Sequence, residues 1–135
     1  MQCYTGSFTV QNNTGSTITN LVVVHTCGSS AAPNVENSYV DFLYQESLDN
    51  LASSAQTGLS SLPGIDDYWS IYYTIGSTIY YVTNDQCNYT QSDQQSTPSN
   101  NCVVLLNPTQ VSIEKPLSAA CSNINLIAGQ NILIS

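Results

Sequence analysis

The stretch YWSIYYTIGSTIYYV, residues 68–82, admits few folds. β-Branched and aromatic residues fill it, and Gly76-Ser77 divides it at a two-residue hairpin turn with glycine in the first central position. Folding back there sets Ile75 opposite Thr78, Tyr73 opposite Tyr80, Ile71 opposite Val82 and Trp69 opposite Asn84. Trp69, Ile71, Tyr73, Tyr80 and Val82 then share a mostly apolar face, expected in the core. Tyr68, Ser70, Tyr72, Thr74, Ile79, Tyr81, Thr83 and Asp85 share the other, expected toward solvent. A slip of one residue would reverse every one of these assignments.

The same period of two runs through the chain. YTGSFTVQ alternates Phe8 and Val10 against Thr5, Ser7 and Thr9, and NNTG supplies a turn. TITNLVVVHTC is apolar on both faces from Leu21 to Val24 and reads as a central strand. SYVDFLYQ is a further strand, and SLDNLASSAQTG a crossover loop with one helical turn around Leu48 to Ala52. A polar loop from Cys87 to Cys102 precedes the short strands VVLLN, QVSIEK, SNINLI and NILIS, which Asn107-Pro108, Pro116 and Ala128-Gly129 separate. About eight short strands with frequent turns predict an all-β chain. The expected form is a single antiparallel β-sandwich domain over residues 1–135, immunoglobulin-like or jelly-roll-like.

Charge narrows the partners. Only 7% of the 135 residues are charged, and Lys115 is the one basic residue against nine acidic, for a net charge of −8. Phosphate binding needs several Lys or Arg side chains, so nucleic acid is excluded. Docking on anionic lipid is disfavoured for the same reason. Ser, Thr, Asn and Gln take the place of charge, a surface common in extracellular and fibre-forming proteins. MQCYTGSFTV has neither a basic n-region nor an apolar h-region. A mature secreted chain is expected, with a cytoplasmic protein as the alternative.

Five cysteines, at 3, 27, 87, 102 and 121, favour disulfides and an oxidising compartment. They contain no Cys-x-x-Cys, which argues against zinc. Cys87–Cys102 is the first choice, closing a polar loop worth about 3 kcal/mol in the chain-entropy model. Cys27–Cys121 is the second. Five is odd, and Cys3 is the candidate for a free or intermolecular thiol.

Several stretches together resemble the Up-regulated-in-Daf domain family, small β-sandwich proteins of nematodes and bacteria. They are FTVQNNTGSTITNLVVVH, LDNLASSAQTG, DDYW followed by a strand, and CSNINLI, across roughly Phe8 to Ile127. The loop between Cys87 and Cys102 is longer than the family pattern, and Cys102 has no counterpart there. The resemblance implies a β-sandwich, secretion and no enzymatic chemistry. It also leaves a Cys87–Cys121 pairing open.

Tests for chemistry end mostly in plain structure. His25 is the only histidine. It lies two residues from Cys27, which on one strand face is about 7 Å, too far for a nucleophile and its base. It reads as a hydrogen-bonded structural residue on the side of Leu21 and Val23. Asp66, Asp67 and Asp85 converge at the open end of the hairpin and offer hard oxygens to calcium. The plainer reading is an acidic loop end. Nothing marks Glu36, Glu46 or Glu114 as glycosidase carboxylates, and no phosphate loop or serine elbow occurs. Asn12-Asn13-Thr14 and Asn88-Tyr89-Thr90 match the glycosylation acceptor pattern. No enzyme and no cofactor are expected.

Two functions compete. One is a structural, self-assembling extracellular subunit, a homo-oligomer or polymer, in which NILIS either closes its own sandwich or adds to a neighbour's sheet. The other is a secreted binding or membrane-active defence protein whose tyrosines meet glycan or lipid headgroups. In both, the outward Tyr68, Tyr72 and Tyr81 form the contact surface. The competing reading is a cross-strand ladder that only steadies the hairpin.

Overall fold

The computed structural model describes residues 4–27, 39–61, 65–96 and 99–130. The strands are β1 (Tyr4–Asn12), β2 (Ile18–Cys27), β3 (Tyr39–Leu48), β4 (Thr57–Ser61), β5 (Asp67–Ile75) and β6 (Thr78–Gln86). After the short helix α1 (Gln91–Gln94) come β7 (Asn101–Leu106), β8 (Gln110–Glu114), β9 (Cys121–Asn125) and β10 (Ile127–Gln130). They form two five-stranded sheets, a first in the order β4-β1-β7-β8-β9 and a second in the order β10-β6-β5-β2-β3. All pairings are antiparallel except β1 with β7, where Ser7 to Asn12 run parallel to Asn101 to Leu106. The fold is the expected all-β sandwich, with ten strands among the described residues where about eight were expected.

Alternation builds the core. Phe8 and Val10 from β1 and Val104 and Leu106 from β7 face Leu21, Val23, Ile71 and Tyr73 of the second sheet, all fully buried. Phe8 and Trp69 meet edge to face with centroids 5.3 Å apart, joining the sheets at the centre. The Trp69 indole N–H donates to the Cys87 carbonyl at 2.9 Å, so its polar edge is satisfied inside.

The hairpin turns on Gly76, whose φ of +62° suits glycine. Ile75–Thr78, Tyr73–Tyr80 and Ile71–Val82 pair as the sequence predicts. Trp69, however, lies opposite Asp85 and not Asn84, because β6 carries an extra residue there. Asn84 takes a left-handed φ of +51° and its N–H donates to the Ser70 hydroxyl. The same device recurs twice. Asn20 (φ +51°) in β2 and Asn123 (φ +61°) in β9 each sit within a register shift. Asparagine tolerates this conformation at low cost, and each bulge sharpens local twist.

Several expectations need correction. Tyr80 is half-buried, not buried, and the Thr74–Ile79 pair on the other face is buried where β10 runs alongside β6. No helical turn forms at Leu48 to Ala52. β3 extends through Leu48, and Leu51 (φ +68°) turns the chain so that Asn12, Ala52 and Ser54 bond along β1. The polar loop after Cys87 instead holds α1, whose Thr90 and Asp93 form a capping box. Residues of NILIS, Cys3 and Glu36 lie outside the described residues.

The disulfide joins Cys87 to Cys121, with Cα atoms 6.1 Å apart. Neither Cys87–Cys102 nor Cys27–Cys121 forms. Cys87 follows β6 in the second sheet and Cys121 opens β9 in the first, so the bond ties the two sheets together. Cys102 lies inside β7 beside Phe8, a fully buried free thiol. Burial pushes that thiol up to about 12, and Asp93 adds to the shift. Cys27 is buried with its sulfur 3.7 Å from the Ser61 hydroxyl.

Candidate interaction face

The second sheet has an unusual outer surface. In β2, Leu21, Val23, His25 and Cys27 point inward, so Val22, Val24 and Thr26 point out. Pairing carries this alternation into every neighbour. One row runs across all five strands, from Tyr44 through Val22, Tyr72 and Tyr81 to Ile127. A second contains Phe42, Val24 and Ser70, and a third Val40, Thr26 and Tyr68. No charged side chain occurs in any of the three rows. Val40, Phe42, Tyr44 and Ile127 are 49%, 58%, 54% and 52% exposed, which identifies this face as the strand-borne apolar surface of the described residues. Apolar area laid contiguously across a sheet, unlike a scattered exposed leucine, marks a contact site.

The three tyrosines expected outward, Tyr68, Tyr72 and Tyr81, all lie on this face and are half-buried. Tyr72 and Tyr81 stack with centroids 6.1 Å apart and planes 14° apart. The sequence reading missed Val40, Phe42, Tyr44 and Ile127. The alternation in YVDFLY was the available signal, with Asp41 as the residue that obscured it.

Beneath this face lies a polar cluster. His25 is fully buried, with Nδ1 3.0 Å from Asp41 Oδ2 and Nε2 2.8 Å from Asp67 Oδ1. Its ring packs on Trp69 at 4.7 Å. Asp67, also fully buried, accepts from the Ser61 hydroxyl and the Tyr89 N–H, while Asp41 accepts from the Ser60 N–H. Burial alone would push the imidazole pKa down. The hydrogen bonds and charges of Asp41 and Asp67 outweigh it, and the pKa is raised. His25 is the structural, hydrogen-bonded residue the sequence predicts, held by two carboxylates that the sequence did not place.

The calcium trio is not assembled. Asp67 turns inward onto His25, Asp66 accepts from the Asn88 amide, and Asp85 lies opposite Trp69 with its pKa raised by burial. Among the described residues no group of three or more His, Cys, Asp or Glu is placed to hold a metal ion. Both glycosylation matches are structural. Asn12 is fully buried and its amide donates to the Ser16 and Leu48 carbonyls. Asn88 accepts from the Asp67 N–H and donates to Asp66.

On the first sheet's side, Asp93 is buried in α1. Burial raises its carboxyl pKa, but the Ser118 hydroxyl and the N–H groups of Ser118, Thr90 and Leu117 outweigh this and hold it at about 2. Beside it runs an open groove of about 650 Å³ lined by Ser92, Ser96, Ser99, Asn101, Pro116 and Leu117, without a titratable group among them. Compared with known proteins, the chain matches no family model and no curated sequence.

Proposed function

We propose that this chain is a non-enzymatic extracellular β-sandwich subunit that assembles with copies of itself through the outer face of its second sheet. The observation that carries this reading is the row from Tyr44 to Ile127, which reaches from one sheet edge to the other without a charge. Two such rows meet without stranding an ion, since Glu46, exposed on the same face two residues beyond Tyr44, lies outside them on the edge strand β3. A second copy suits the face better than a sugar, because Val22, Val24, Val40 and Ile127 offer aliphatic area that a second such face can cover and a sugar's hydroxyls do not match. It also suits the face better than anionic lipid. The one basic side chain, Lys115, donates to the Asn88 carbonyl on another part of the molecule. The Cys87–Cys121 disulfide is compatible with an oxidising, extracellular setting.

Size sets the strength. Rows of five, three and three outward positions, with strands about 4.8 Å apart and outward positions about 6.7 Å apart, enclose about 350 Å² per copy. A stable complex buries about 800 Å² per partner. One face therefore supports weak, concentration-dependent association, and a polymer requires further contacts. Sedimentation velocity across a concentration series tests the reading. Tyr72→Ser with Tyr81→Ser should abolish association while the fold persists, and a wild type that stays monomeric at millimolar concentration would refute it. A second reading is a secreted binding or membrane-active protein, favoured by the amphipathic Tyr68, Tyr72 and Tyr81 beside exposed Phe42. Co-sedimentation of monomer with zwitterionic vesicles would select it.

A further inference from the structure

The cluster under the contact face is built from the strands that display it. His25 alternates with Val24 and Thr26 in β2, Asp41 with Val40 and Phe42 in β3, and Asp67 precedes Tyr68 in β5. Both ring nitrogens of His25 face carboxylate oxygens, at 3.0 and 2.8 Å. A carboxylate only accepts, so two carboxylates facing one ring are both satisfied when both nitrogens carry a proton, that is, when the ring is an imidazolium. The bonding continues to the opposite sheet. Asp41 Oδ2 accepts the Ser60 N–H at 2.9 Å and Asp67 Oδ2 accepts the Ser61 hydroxyl at 3.0 Å, and both serines belong to β4. One proton therefore links β2, β3 and β5 to an edge strand of the other sheet.

We infer that Asp41, His25 and Asp67 form a proton-dependent clamp, which holds β4 and the apolar outer strands in place while His25 is charged and releases them when it is not. This rests on the assembly reading only for its effect on the contact face. The clamp itself is a property of the single chain. A neutral ring has one N–H for two carboxylates, so one carboxylate is left facing a lone pair in a buried site. The other titratable groups nearby are Cys27 on β2 and, around Asp67, Asp66, Tyr89, Asp93, Cys102 and Lys115. Of these Lys115 alone is a cation, and its ammonium is bonded to the Asn88 carbonyl. Among the described residues only His25 brings positive charge to Asp41 and Asp67 directly.

The direction follows from linkage. The folded pKa of His25 is raised, so its contribution is complete below the unfolded value of about 6.5 and is lost as pH climbs from there through the folded pKa. Nitrogen-15 NMR of the full chain from pH 6 to 10 tests this. The His25 ring should read as imidazolium at pH 7. Amide exchange at Ser60 and Phe42, corrected for its intrinsic rate, should rise by up to about tenfold per pH unit above 6.5 and then level off once the ring has titrated. Val104 in β7 should respond less. Asp41→Asn should lower the ring's titration point and speed exchange at Ser60 already at pH 6. A neutral His25 at pH 7, or Ser60 exchange that tracks only the intrinsic rate, overturns the clamp. If the clamp responds and the protein sediments as a monomer throughout, the clamp stands and the assembly reading falls.

Discussion

The two outer faces of this sandwich are made by one alternation rule and end up with opposite chemistry. On the first sheet the outward residues include Ser7 and Thr9 of β1 with Asn101, Val103 and Leu105 of β7, and the polar ones bond to one another. Ser7 donates to Asn101 Oδ1 at 2.8 Å, Asn101 donates to Thr9 at 3.1 Å, and Gln56 reaches over to Ser7 at 2.7 Å. On the second sheet the corresponding positions are Tyr44, Val22, Tyr72, Tyr81 and Ile127. The polar residues of the first face complete one another's hydrogen bonds, and its apolar Val103 and Leu105 are half-buried rather than exposed. An apolar face gains only when something covers it, and that asymmetry motivates the assembly reading more than any single residue does.

The largest expected effect comes from the bond that makes the two sheets one body. Cys87–Cys121 closes a loop of sequence separation 34 between the sheets. The chain-entropy model gives such a loop roughly 4 kcal/mol, which for a domain of this size lowers the thermal midpoint by roughly 10–15 °C. Cys87→Ser with Cys121→Ser should show that drop by calorimetry, still in one transition. Two separate transitions would mean that the faces belong to independently melting layers.

A pair of substitutions then sets face against face. Phe42 is 58% exposed, so Phe42→Ser removes contact area and little core. Association measured by sedimentation should weaken at least about tenfold, or about 1.4 kcal/mol, with the melting point nearly unchanged. On the first sheet Asn101→Ala removes bonds to Ser7 and Thr9 and should cost about 1–2 kcal/mol of stability with association unaltered. The opposite pattern would exchange the roles of the faces.

How much of this the sequence carries depends on distance along the chain. The hairpin was legible because Gly76-Ser77 fixes register locally, and the faces of Tyr68, Tyr72 and Tyr81 follow from it. Asn84 defeated the register at Trp69 because its left-handed turn is a choice of the folded strand, not of composition. The clamp was legible only in part. His25 read as structural, but Asp41 and Asp67 lie 16 and 42 residues away and reach it through two different strand pairings. Cys87 found Cys121 and not nearby Cys102 for the same kind of reason. Loop entropy favours the short closure, whereas strand alternation commits Cys102 to the core of β7.

The smallest effect separates two tyrosine pairs that are neighbours in sequence and lie on opposite faces. Tyr72 stacks on Tyr81 outside, and Tyr73 stacks on Tyr80 at 5.6 Å inside. Tyr73 is fully buried, and its hydroxyl is the one buried side-chain polar atom without a hydrogen-bond partner among the described residues. Burial accordingly raises its pKa, since an ionised phenol there would be unsolvated. The hydroxyl therefore contributes a desolvation cost and no bond, while the ring contributes packing and the stack. Tyr73→Phe keeps the ring and removes the cost, so stability should stay within about 1 kcal/mol of wild type or rise. The raised pKa adds a sign for alkaline solution. Unfolded tyrosine ionises near pH 10 and the folded one does not, so wild-type stability falls as pH rises beyond about 10. Tyr73→Phe should lose part of that fall, measured by urea unfolding at pH 8 and 11. A loss well above 1 kcal/mol at pH 8 would mean that the Tyr73 hydroxyl has a partner in solution, and the inner pair would then be polar like the first sheet's outer face rather than part of the core.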